Sequence, residues 1–222
     1  MPNYLTTALQ YHKAGLKVIP CNSDKTPKSD VCPKFSDYTH NQTESDVKRL
    51  FSQDCAFIAI ICSKDIEVID FDLKNDGMKG TALGVWEQYT DLLVKFPRVE
   101  ELYFENTLNG GVHIIYKTAF KDGNLKLAKK ADQKEAVIET RGSENAYCVV
   151  APSMGYKLDN GDLCNLPTLT KAERDYLINL ARSFDETPIA APKVPRDVKI
   201  ADFGTNKAAW TDYNERADIV QF

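Results

Sequence analysis

What the sequence lacks already excludes several classes of protein. Six cysteines, at positions 21, 32, 55, 62, 148 and 164, never form the close pairs of a zinc ribbon or a redox motif. Several sit inside apolar runs, so they read as reduced thiols, mostly in the core. Long hydrophobic runs are missing too: the longest, AFIAIIC at 56–62, falls far short of the roughly 20 residues that a membrane helix needs. The opening MPNYLTTALQYHKAGLKVIP has no sustained apolar stretch and no small-residue cleavage site, which argues against a secretory or transit segment. Nor is there an excess of positive charge. A net charge of −4 does not coat nucleic acid by bulk electrostatics, so any such contact has to come from a local patch. No internal repeat or low-complexity tract interrupts the chain. These exclusions leave a soluble, cytoplasmic globular protein, whose 222 residues and 43% hydrophobic content suit one large domain or two small ones.

Within that frame the chain alternates helices and short strands. YLTTALQYHKAG places Tyr4, Leu5, Ala8, Leu9 and His12 at helical spacing and stops at Gly15, and LKVIP reads as a strand ending at Pro20. Residues 21–42 are polar and form a long loop. TESDVKRLF opens with a capping box, Thr43 with Asp46. AFIAIIC and IEVIDFD, separated by SKD, are expected to pair as a hairpin. A helix carrying Leu83, Trp86, Tyr89, Leu92, Leu93 and Phe96 on one face follows. Two further pairs are VEELYFEN with VHIIYK, around TLNGG, and EAVIET with AYCVVAP, around RGSEN. KAERDYLINLARSF is the last helix of the folded part.

Chemistry concentrates at strand ends. In VIDFD, Asp70 and Asp72 share a face, with Cα atoms roughly 6.5 to 7 Å apart, so both carboxylates can converge on a hard cation. An isolated Asp-x-Asp equally marks the wet end of a strand leaving the core. His113 enters a strand after Gly110 and Gly111, whose N–H groups suit an anion; alone, it is as readily structural. Glu139 ends another strand, and Arg141 lies two residues on, on the same face, as a surface ion pair or as a guanidinium fork for phosphate. Asp65, Glu67 and Asp76 lack such support and read as solvated charges.

The order of these motifs resembles the primase-polymerase domain of the archaeo-eukaryotic primase superfamily, found in replication proteins of phages, plasmids and mobile elements. The resemblance takes in YHKAGLKVIPC, the DKTPK loop, AFIAIICSKDIEVIDFD, NGGVHIIY and ETRG…YCVVAPS, over roughly residues 4–157. It implies an α/β (α+β) fold, an RRM-like antiparallel palm sheet flanked by helices with a smaller N-terminal α/β subdomain. It implies template-dependent nucleotidyl transfer, a DNA primase and DNA polymerase working with two Mg2+ or Mn2+ ions. Asp70, Asp72 and Glu139 become the catalytic and metal-binding acids. His113, Arg141, Gly110, Gly111 and Lys25 become nucleotide contacts. The partners implied are a single-stranded DNA template, a primer strand and dNTP or NTP, with a helicase or helical domain further along a full-length protein, in the host cytoplasm if the source is a phage and away from any membrane.

Two basic stretches flank these motifs. Residues 117–134 hold six Lys against two Asp and residues 13–34 five against two, either solvated faces or strand-tracking patches. Lys121, Lys126, Lys129 and Lys130 are the expected nucleic-acid contacts. The chain departs from the family where Glu139 replaces a common Asp and where Gly111 stands in place of a common Ser. Residues 114–138 also contain no Cys or further His, so no zinc is expected. Two rivals remain: a haloacid-dehalogenase-type phosphatase built on the Asp-x-Asp, and a non-catalytic RRM-like nucleic-acid-binding module. The expected organisation is a catalytic domain over 1–185, a Pro-containing linker or tail over 186–211, and the start of a truncated helical region over 212–222.

Overall fold

The N-terminal segments build a helix-covered sheet whose first two strands are apolar and buried on both sides. In the computed structural model, which describes residues 3–76 and 84–188, α1 spans Leu5–Lys13 and ends where Gly15 takes a left-handed φ of 93°. Strand β1 (Val18–Cys21) follows, then α2 (Glu44–Leu50), whose capping box joins Thr43 and Asp46 in both directions. Together with β2 (Phe57–Ile61) and β8 (Tyr147–Val149), β1 makes a three-stranded antiparallel sheet in the order β1-β2-β8. Ala8, Leu16, Ile19, Leu50, Phe57 and Ile60 are buried together beneath the helices. Among the described residues, the outer edge of β1 has no neighbouring strand. There, the Val18 N–H donates to Gln42 Oε1 (2.9 Å) and Gln42 Nε2 to the Val18 carbonyl (2.7 Å), while the Pro20 carbonyl accepts from the Lys28 N–H (2.9 Å).

The second sheet is larger and also antiparallel throughout. It contains β3 (Ile66–Phe71), β4 (Tyr103–Asn106), β5 (Val112–Lys117), β6 (Lys126–Ala128), β7 (Ile138–Arg141) and β9 (Lys157–Asn160), in the order β6-β7-β3-β5-β4-β9. Alternation along the central β3 decides what each face does. Ile69 and Phe71 point to α3 (Val85–Leu93) and α4 (Lys171–Arg182), in a core with Tyr89, Ile114, Tyr116 and Leu177. Ile66 and Val68 point the other way and join the core of the N-terminal sheet. Asp70 shares that second face. All elements fall within one compact unit, Met1–Thr187, and among the described residues no helix is long and apolar enough to cross a membrane. The mixed α+β architecture with helix-flanked antiparallel sheets is the one expected from the sequence.

Several local expectations are corrected. The two segments expected to form a hairpin, β2 and β3, do not pair: residues 62–65 carry the chain from one sheet to the other. The same holds for β7 and β8. Each expected pair is a crossover between sheets: β2 and β3 are buried on both sides, and all four strands find separate partners. Only β4 and β5 form the expected hairpin. Glu67 is not solvated. It is fully buried, accepts Arg174 Nε (2.7 Å) and Nη2 (2.8 Å) in a fork, and accepts the Tyr116 hydroxyl (2.8 Å). Asp76 is also buried, where it accepts the Val85 N–H at 2.8 Å and caps the start of α3. Leu92, expected on the buried face of α3, is exposed; Leu83, the segment from 189 onward and the expected helix DYNERADIVQF lie outside the described residues. All six cysteines are free and five are buried.

Candidate active site

The register of the large sheet lines up the acidic and imidazole groups. Asp70 on β3 lies opposite His113 on β5 and opposite Glu139 on β7, and His113 in turn lies opposite Glu105 on β4. Four ionisable residues therefore form one row across four adjacent strands, although they are scattered over 70 positions of sequence. Asp72 follows at the end of β3, held by its N–H to the Val137 carbonyl (2.9 Å).

Cationic side chains bind this row closely. Arg141 donates Nε (2.9 Å) and Nη2 (2.7 Å) to the same oxygen, Asp70 Oδ2, and its Nη2 also lies 2.9 Å from Glu139 Oε1. Lys74 reaches Asp72 Oδ2 at 2.7 Å. His113 Nε2 is 3.5 Å from Asp70 Oδ1, and its Nδ1 is 2.7 Å from Glu105 Oε1. Burial disfavours the charged ring, but the adjoining Cys148 sulfur and the carboxylates of Glu105 and Asp70 outweigh it and hold the His113 pKa well above its ordinary value. Burial pushes the Cys148 thiol itself up to about 11. Glu139 is raised as well, by burial first and then, against the pull of Arg141, by the charges of Asp70 and Asp72.

A cavity of about 420 Å³ opens onto this row; Lys25, Asp70, Asp72, Lys74, His113 and Arg141 are among the residues that line it. Glu139 is set back and joins it through Arg141. Lys25 adopts a left-handed φ of 68°, a conformation that costs a residue with a Cβ roughly 1–2 kcal/mol. Asp24 holds that turn by accepting the N–H (2.9 Å) and hydroxyl (2.6 Å) of Thr26, and the Lys25 ammonium lies 5.5 Å from the centre of the Tyr156 ring.

The glycines act differently from expectation. Gly110 donates its N–H to the Thr107 carbonyl (3.0 Å) and Gly111 to Thr107 Oγ1 (3.0 Å), so neither amide is the free anion donor that the sequence suggested. Gly111 serves sterically: a Cβ there would sit 2.3 Å from the Phe71 carbonyl, between the two aspartates in sequence. The expected basic contacts are partly engaged within the protein. Lys121 donates to the Cys62 carbonyl (2.7 Å), Lys126 reaches Glu135 (3.4 Å), and Lys130 pairs with Glu186 (2.7 Å) and approaches Asp76 (3.8 Å). Lys129 donates its backbone N–H to Asp185 (3.0 Å).

Most of the chain, residues 8–169, matches the family model of the bifunctional DNA primase/polymerase N-terminal domain. The chain belongs to that family. The matched span contains every residue of the row, the Lys25 turn and Arg141. Membership in the primase/polymerase family supports nucleotidyl transfer in replication as its class of activity. No curated protein matches the chain.

Among the described residues no group of three or more His, Cys, Asp or Glu side chains is arranged to hold a metal ion as it stands. The donor chemistry nevertheless fits a hard divalent cation. Asp70, Asp72 and Glu139 offer only carboxylate oxygens, the donors that such a cation prefers. Sequence reading missed Glu105, Lys74, Cys148 and Tyr156 at this site. Lys74, two residues after Asp72, was within reach of a motif-based reading. Glu105 gave no signal, since its partner lies on the next strand and only the register brings them together.

Proposed function

We propose that this domain copies a single-stranded DNA template, starting or extending a primer by transferring nucleotidyl groups from dNTP or NTP to a 3′-hydroxyl, in replication of a phage, plasmid or other mobile element. The observation that carries this reading is the row of Asp70, His113 and Glu139 in register on three adjacent strands at a cavity, inside the span matched by the primase/polymerase family.

Asp70, Asp72 and Glu139 would hold Mg2+ or Mn2+. When bound, such ions lower the pKa of the attacking hydroxyl and offset the charge of the leaving pyrophosphate. The protein's own groups orient the triphosphate. Arg141 brings a planar fork to the cavity, and its half-exposed side chain can turn from carboxylate to phosphate oxygens. His113 turns Nε2 toward the same space, and Lys25 and Lys74 add positive charge at its rim. Lys121, Lys126, Lys129 and Lys130 are the side chains assigned to the nucleic-acid backbone; for Lys126 and Lys130 this means exchanging an acidic partner for phosphate.

Neither rival is favoured. An RRM-like binding module needs exposed aromatics on its sheet face, whereas this face presents Asp70, His113 and Glu139, with Tyr103 buried. The test is a single-stranded template, with and without primer, given labelled dNTPs or NTPs and Mg2+ or Mn2+. Template-dependent product is expected. Its absence in every combination, from folded protein, overturns the assignment, and metal-dependent hydrolysis of a generic phosphate ester without template favours the phosphatase.

A further inference from the structure

A fully buried carboxylate normally needs a cation or several donors, because burying its charge alone is prohibitively costly. Glu105 has no exposed surface, and among the described residues its one ion-pair partner is His113. Three donors meet it: His113 Nδ1 at 2.7 Å on Oε1, and the Tyr103 hydroxyl and the Ala151 N–H, each at 2.8 Å, on Oε2. The hydroxyl and the amide fill the Oε2 lone pairs, so Oε1 is the oxygen left to meet the ring. A carboxylate in that place can only accept, which assigns the shared proton to His113 Nδ1 in the arrangement proposed below. The opposite nitrogen, Nε2, is then the one that faces Asp70 and the cavity.

We propose that Glu105 is a positioning residue for nucleotide binding: by accepting from Nδ1 it fixes the His113 ring with Nε2 directed at the triphosphate. The inference rests on the nucleotide reading given above. The hydrogen bond made by one ring nitrogen of a histidine sets the role of the other. Glu105 also ties the ring to the N-terminal sheet, since Ala151 lies just beyond β8 and its carbonyl accepts the Tyr11 hydroxyl of α1 at 2.7 Å. The placement of His113 therefore depends on both sheets that border the cavity.

A double-mutant cycle tests this, with dATP and Mn2+ as the probe and thermal unfolding as the check on folding. In Glu105→Gln the amide keeps an oxygen for Ala151 and Tyr103 but turns an NH2 toward Nδ1. Affinity for dATP is expected to fall about tenfold, with turnover at saturating dATP changed by no more than about threefold. In a His113→Ala background the same substitution is expected to add less than about twofold. An equal loss in both backgrounds overturns the proposal and leaves Glu105 a stability element. Hydrogen–nitrogen correlation spectra of the wild type, with only three histidines to assign, give a readout that needs no stable variant. An exchange-protected proton on His113 Nδ1, with Nε2 responding to dATP, is expected; a bare Nδ1 overturns the positioning role. Wild type that binds dATP and keeps its affinity in Glu105→Gln removes this proposal alone. Wild type that binds no dATP with either cation removes the nucleotide reading, and this inference with it.

Discussion

Glu67 and Asp70 lie three residues apart on β3, both carboxylates paired with arginine, yet they belong to different kinds of structure. Glu67 faces the helices. Arg174 forks onto both of its oxygens, Tyr116 adds a third bond, and both partners are almost wholly buried. Asp70 faces the cavity. Arg141 places both of its bonds on one oxygen, shares itself with Glu139 and keeps more than a third of its side chain exposed, while among the described residues Asp70 Oδ1 has only a long contact to His113. The first pair is closed: the fork fills both oxygens of Glu67, and the remaining Arg174 nitrogen donates to Asp122 at 2.9 Å. The second leaves a carboxylate oxygen for another cation and an arginine able to leave. Saturation of the hydrogen bonds, rather than the presence of an ion pair, separates the scaffold from the site.

The largest expected effect breaks the comparison on the cavity side. Asp70→Ala with Asp72→Ala should lower template-dependent incorporation by about a thousandfold or more, while circular dichroism stays native. Chelation with EDTA should abolish incorporation by the wild type and restored Mn2+ should recover it; incorporation that survives exhaustive chelation contradicts the oxygen-ligand reading. On the helix side, Glu67→Ala should cost about 3–5 kcal/mol in urea unfolding, because it strands the buried Arg174 guanidinium. Activity per folded molecule should change little, and a large loss of turnover without loss of stability would erase the distinction between the two carboxylates. Arg141→Lys sharpens it: losing the fork should raise the apparent dNTP constant about tenfold with little change in stability. The smallest effect is a reference point away from both: Thr170→Ala removes the cap of α4 and should cost about 1 kcal/mol of stability without touching nucleotide affinity.

The sequence made the ends of the strands easier to read than their neighbours. Asp70, His113 and Glu139 each close or open an apolar strand, a local pattern, and their order along the chain carried the family resemblance. Which strands pair is a long-range matter, and adjacency in sequence misled twice: β2 and β3, like β7 and β8, are separated by a few residues but belong to different sheets. The edge strands β6 and β9, only Lys-Leu-Ala and Lys-Leu-Asp-Asn, are too short and polar to show alternation. Glu67 was misread because its explanation, Arg174, stands 107 residues away on a helix. Glu105 is invisible for the same reason, as its meaning lies in the strand opposite.

The outer edge of β1 has a consequence for how this molecule behaves in company. An unpaired strand edge is a template for another chain's backbone. Here the Val18 N–H and carbonyl are both occupied by the Gln42 side-chain amide, the Pro20 carbonyl is taken by the Lys28 N–H, and Pro20 has no N–H to offer. One glutamine and one proline thus stand in for a missing strand, and the β1 side of the small sheet offers no free run of backbone groups at Val18 and Pro20 for strand addition.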